Sequence, residues 1–174
     1  MSRYFPHTSY AEDQPLPYTI LTTHVLTRGF QTGSLIGLTA TGIRQAIPPL
    51  RRPGIMSQRI LLSSSTGSLV GLGLITLALG GRMYGRERIE WQDRSWRLLE
   101  NRGQVEMDDW TYLGMGAGAV AAAVTGQVKV LGWRAVMGGL GVGGVVGMLA
   151  CVGWRAGLNG GKFPEKRKGT EGDL

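Results

Sequence analysis

The chain has 174 residues, enough for one domain, and a single cysteine, Cys151, so no disulfide can form within it. With 19 Lys+Arg against 12 Asp+Glu the net charge is +7, a balance that would suit nucleic acid; the basic residues flank uncharged runs, however, which points to anionic lipid headgroups and away from nucleic acid. Two histidines and one cysteine are too few for a metal centre.

Mean hydropathy is close to zero because glycine scores near zero and there are 29 of them, and because the charges are gathered into the termini and loops. The map of charges is more informative than the average. Between Arg28 and Arg44, Arg59 and Arg82, Asp109 and Lys129, and Arg134 and Arg155 lie 15, 22, 19 and 20 uncharged residues. About 20 residues of helix span the hydrocarbon core of a bilayer. The pattern therefore predicts an all-α membrane protein of four transmembrane helices, at about 22–47, 59–81, 109–128 and 134–154, within a membrane domain spanning 18–158.

Residues 1–17 read as an irregular tail, with Pro6, Pro15 and Pro17 as breakers. No apolar signal segment precedes residue 18, and Glu12 and Asp13 are unlike a mitochondrial presequence, so any import signal is expected to be internal. The first helix starts near Tyr18 and stops before Pro48; His24 and Arg28, four apart, share one of its faces. The loop that follows carries Arg51 and Arg52 and no acid. Ser63, Ser64, Ser65 and Thr66 open the second run, where hydroxyls bond back to carbonyls or across to another helix. The polar connection 82–108 has Ile89, Gln92, Trp96 and Leu99 at the spacing of a short amphipathic helix, either lying on the membrane surface or packed on protein. Asp108 and Asp109 are expected to open the third helix as caps, complementing the helix dipole. Trp110, Trp133 and Trp154 fall at span ends, as aromatic belts do. Residues 159–174 read as a flexible basic tail with Lys162, Lys166, Arg167 and Lys168. Four spans put both termini and the central connection on one side, with 13 of the 19 basic residues, which places the termini in the matrix or cytoplasm.

Each run carries small residues every fourth position: Gly29-Gly33-Gly37-Thr41, Ser63-Gly67-Gly71, Gly114-Gly118-Ala122-Gly126 and Gly139-Gly143-Gly147-Cys151. Such a stripe lets two backbones approach, which drives helix association in lipid. Gly29, Gly33, Gly37, Gly67, Gly71, Gly114, Gly118, Gly139, Gly143 and Gly147 are therefore the expected helix-packing residues. Gly139-x-Gly141-x-x-Gly144 matches a dinucleotide fingerprint in letters, but it sits inside an unbroken apolar run without the strand that motif needs. Neither a catalytic set, nor a cofactor, nor a metal site is expected, and ion transport is disfavoured because no run centre holds a charge.

The segment Pro17-Tyr18-Thr19-Ile20-Leu21, followed by His24-Val25, Arg28-Gly29, Gln31 and Gly33-Ser34, resembles the opening of the NUXM family, fungal accessory subunits of mitochondrial NADH:ubiquinone oxidoreductase, respiratory complex I. The resemblance implies a multi-pass, non-catalytic structural subunit of the mitochondrial inner membrane. Its partners would be other membrane-arm subunits of complex I and phospholipids, cardiolipin among them. The runner-up is the inner-membrane preprotein translocase family (Tim17/22/23), which also has four glycine-laddered spans; the long charged connection 82–109 departs from that pattern. A small transporter is the third reading.

Overall fold

In a computed structural model, residues 4–51, 55–158 and 160 are described; Arg52 and the basic tail, Lys162, Lys166, Arg167 and Lys168 included, lie outside them. The described residues are all helical apart from short connections, with no strand among them. Among them are six α-helices in chain order: α1 Pro17–Ala46, α2 Met56–Met83, α3 Arg88–Glu100, α4 Arg102–Val124, α5 Gln127–Leu131 and α6 Trp133–Gly153, the last continuing as one π-helical turn over Trp154–Leu158.

Local chemistry sets these boundaries. Pro17 stands at the first turn of α1, where a missing N–H costs nothing. The Ile47-Pro48 step ends α1, because a residue before proline is driven out of the helical region. The run expected to continue to Val128 breaks at Val124 instead. Gly126 and Gly132 both adopt positive φ, 74° and 59°, and bracket α5 as a corner between α4 and α6.

The long helices pack as two antiparallel pairs, α1 with α2 and α4 with α6, joined through α2 against α6 and α1 against α6. The start of α1, the end of α2, α3, the start of α4 and the end of α6 therefore gather at one end of the bundle. The α1–α2 loop and α5 occupy the other.

The amphipathic helix α3 packs on protein. Its Trp96 Nε1 donates to the Thr8 carbonyl at 2.9 Å and its Gln92 Nε2 to the Glu12 carbonyl at 2.6 Å. His7 stacks on Trp96 at 5.9 Å between ring centroids, and Tyr18 tilts against Trp91 at 4.9 Å. Ile20 and Leu99 bury each other under Phe5, Leu98 and Tyr112. The expected irregular tail is thus pinned from Phe5 onward and includes a 3₁₀ turn, Ala11–Asp13. The buried Gln14 side chain, donating to the Pro6 carbonyl at 2.8 Å, ties that turn back on itself.

Two helical stretches among the described residues, α2 and Trp133–Leu158, are long and apolar enough to cross a membrane; four were expected. Helices α1 and α4 have the length, 30 and 23 residues, but not the composition. The first carries His24, Arg28 and several threonines. The second begins seven residues before the expected Asp109, and so takes in Arg102, Glu106 and Asp108.

Candidate functional site

The expected packing glycines come together in two zippers. In the α1–α2 pair a β-carbon on Gly33 would fall on the Gly67 carbonyl, and one on Gly67 on the Gly33 carbonyl. Gly71 faces the Gly29 carbonyl in the same way, Gly29 faces Ile75 and the Gly71 carbonyl, and Gly37 faces the Ser63 carbonyl. In the α4–α6 pair Gly114 and Gly143 oppose one another, as do Gly118 and Gly139, while Gly147 lies on the Trp110 carbonyl. No side chain larger than hydrogen fits at these positions without moving a backbone. Gly126, the expected last rung of the third ladder, meets nothing and serves the corner.

Helix α6 also has a second small face, which the ladder spacing did not single out. Gly138 lies on the Leu61 carbonyl of α2, and a β-carbon on Gly141 would strike the hydroxyls of Ser34, Ser64 and Ser68. Ser34 and Ser64 share a hydrogen bond of 2.7 Å, and Ser64 donates to the Gly138 carbonyl at 3.0 Å. Of the serines at the head of α2, Ser63 and Ser64 thus bond across to other helices, Ser63 accepting from Thr41 of α1 at 2.6 Å. The glycines of the dinucleotide-like motif are consumed by these contacts, with Gly144 against Met115.

Toward the end of the bundle that holds α3, the two pairs are fastened by charge. Asp108 was expected at a helix start. Instead Asn101 caps α4, its side chain accepting from the Gln104 amide at 3.2 Å, and Asp108 sits in the second turn with its side chain 1 % exposed. One carboxylate oxygen lies 2.6 Å from Arg28 Nη2 and the other 2.8 Å from His24 Nδ1. The shared face of His24 and Arg28 therefore meets a single acid. Arg28 also donates to Gln31 at 3.0 Å and to Gln104 at 3.2 Å. The Gln31 amide in turn donates to Thr111 at 3.3 Å and to the Gly144 carbonyl of α6 at 3.0 Å. Thr27 and Tyr112 hydroxyls approach to 3.4 Å. Glu106 and Arg155, at 2.5 Å, tie the start of α4 to the end of α6.

This network is the main link between α1 and α4, which make little direct backbone contact. A buried ion pair offsets its desolvation only when the geometry is good and the remaining polar atoms are bonded; here Gln31 and Gln104 accept from the guanidinium, while Asp108 Oδ1 faces Arg28 as an ion pair without an aligned hydrogen bond. The arrangement can set the register between two helix pairs. Among the described residues no three His, Cys, Asp or Glu side chains gather as a metal site would require.

Sequence reasoning singled out His24, Arg28 and both aspartates but did not join them. The signal available was a set of ionisable residues at matching depth on two helices flanking apolar runs, which calls for mutual pairing.

No curated protein and no solved structure matches the chain. A family model does match, over residues 7–141, a stretch that holds the N-terminal segment, α1 to α5 and the charge cluster. The chain belongs to the family described as proteins of unknown function, DUF1757.

Proposed function

We propose that this chain crosses a membrane four times and acts as a non-catalytic scaffold, in particular as a structural accessory subunit of the membrane arm of mitochondrial complex I in the inner membrane. The observation that carries the membrane reading is an inverted burial pattern. The bundle hides Ser34, Ser64, Ser65, Ser68, Gln31, Thr111 and Asp108, while Ile36, Val70, Leu74, Leu77, Leu113, Val120, Val124 and Val146 are all more than half exposed. Water-soluble proteins bury the large apolar side chains and leave the polar ones outside. Lipid reverses this, because helices there associate through small and hydroxylated residues.

The pattern holds on α1, α2 and α4, two of which fall short of a span in composition, while α6 buries chiefly glycines and exposes Val146. In those two, Arg28 and Asp108 neutralise one another inside the bundle, so a lipid-facing surface remains apolar. Both termini are then expected on one side. Protease protection of N- and C-terminal tags in intact mitoplasts checks this, and opposite accessibility would mean that α1 or α4 does not cross.

The complex I reading is supported by the likeness of residues 17–34 to the opening of the NUXM family. The glycine zippers also favour a translocase subunit. Against it stands the connection 82–108, which forms α3 and clasps the N-terminal segment. A native gel separates the readings: the chain is expected to co-migrate with the large respiratory enzyme. Migration with a far smaller complex would mean a translocase-type subunit, and migration alone or as a homo-oligomer would favour a small transporter.

A further inference from the structure

An open groove of about 750 Å³ runs along the α1–α2 pair, walled by Ile36, Ala40, Leu62, Val70 and Leu74, with Arg28 at one end and Arg44 at the other. Arg44 lies sixteen helical steps beyond Arg28, about 24 Å of rise, most of the hydrocarbon depth of a bilayer. At the Arg44 end the groove continues into a second cavity of about 270 Å³ that Arg44 and Arg59 line together with Thr41, Gln45 and Ser63. Arg51 stands beside it, its Nε donating to the Gln45 carbonyl at 2.8 Å.

The charge around this mouth is one-sided. The sequence has no Asp or Glu between Asp13 and Glu87, and none between Asp109 and Glu165. The end of the bundle formed by the α1–α2 loop and α5 therefore carries Arg44, Arg51, Arg59, Lys129 and Arg134 with no acid of its own. All twelve acids belong to the opposite end or to the terminal segments. An apolar slot that opens on a cluster of arginines without acids matches one kind of molecule, an amphiphile with an anionic head.

We infer that the groove holds an anionic phospholipid, its phosphate between Arg44 and Arg59 and one acyl chain lying over Ile36, Ala40 and Val70. The guanidinium pair supplies planar donors for phosphate oxygens. The Thr41–Ser63 hydroxyl pair, 2.6 Å apart, marks the level where the polar mouth gives way to the apolar slot. The bound chain would cover the lipid-facing seam of the α1–α2 zipper.

This inference rests on the membrane reading, and the experiment separates the two. The purified full-length chain is reconstituted into nanodiscs of phosphatidylcholine containing a minority of phosphatidylglycerol, and co-purifying lipid is counted by native mass spectrometry. Wild type is expected to retain phosphatidylglycerol about thirtyfold over its share of the disc, the size of effect two basic groups exert beside an anionic headgroup. Arg44→Gln/Arg59→Gln should abolish the preference, Arg44→Lys/Arg59→Lys should keep most of it, and Ala40→Trp should lower retention of both lipids at unchanged helix content. A wild-type chain that enters the discs but retains the two lipids in proportion to their abundance overturns the site and leaves the membrane reading standing. So does a glutamine pair that keeps the preference. A chain that stays soluble without disc or detergent overturns both.

Discussion

Asp108→Ala is expected to be the most damaging single substitution in the chain, lowering stability by about 3–5 kcal/mol, the usual result of leaving one partner of a buried ion pair uncompensated. The carboxylate is the anion that faces both Arg28 and His24, at 2.6 and 2.8 Å. Without it the guanidinium keeps its amide partners Gln31 and Gln104, which accept hydrogen bonds but do not neutralise charge. For a chain of this size the midpoint of thermal unfolding in detergent should fall on the order of 10 °C. Asp108→Asn should behave similarly, since it preserves shape and removes charge; a helix cap would tolerate that exchange. The double variant Arg28→Met/Asp108→Leu should recover most of the loss, because replacing a buried pair by apolar residues of similar volume is often neutral. An alanine variant that unfolds with wild type would show that the cluster does not hold the two helix pairs. A double variant as unstable as the single one would show that the charges do something beyond pairing.

The glycine ladders were readable because close helix approach makes a demand on every fourth residue, and a hydrogen atom in place of a side chain is visible in sequence. The pairing of Gly33 with Gly67, or Gly118 with Gly139, was not readable, since each stripe is equally complementary to the others. In α6 the run Gly138-Gly139-Leu140-Gly141-Val142-Gly143-Gly144 superposes two stripes, one toward α4 and one toward α2, and a single spacing of four finds only the first.

Asp108 was misplaced for a related reason. Residues 102–107 hold two charges, a glutamine and a glycine, so the apolar run marks Asp109 as the boundary. The helix nevertheless begins at Arg102, because Asn101 caps it and its polar first turns find Arg155 and Arg28 as partners in other helices. The amphipathic period of α3 was legible. The surface it covers was not, for it is built from side-chain bonds to the carbonyls of Thr8 and Glu12, and carbonyls leave no pattern in sequence.

Gly143→Leu is expected to separate α4 from α6. The position sits at the centre of their zipper, where a β-carbon would fall on the Gly114 carbonyl group and come within 3.0 Å of the Gly118 Cα. These are backbone atoms, so no rotamer change can make room and the helices must move apart. Overpacking of this kind costs about 1–3 kcal/mol. Gly116 provides the control on the facing helix. It is two residues from Gly114, exposed, and a β-carbon there meets nothing within 4 Å. Replacing an exposed helical glycine by leucine raises helix propensity by up to about 1 kcal/mol, so Gly116→Leu should be neutral or stabilising although the two changes add the same side chain. The measurement is the amount of each variant in the membrane fraction and in its native-gel complex, with the unfolding midpoint in detergent beside it. Gly143→Leu should be depleted from the complex and melt earlier, while Gly116→Leu should match wild type. Equal behaviour of the two would mean that the α4–α6 seam does not govern stability, and the scaffold reading would then lose its packing basis.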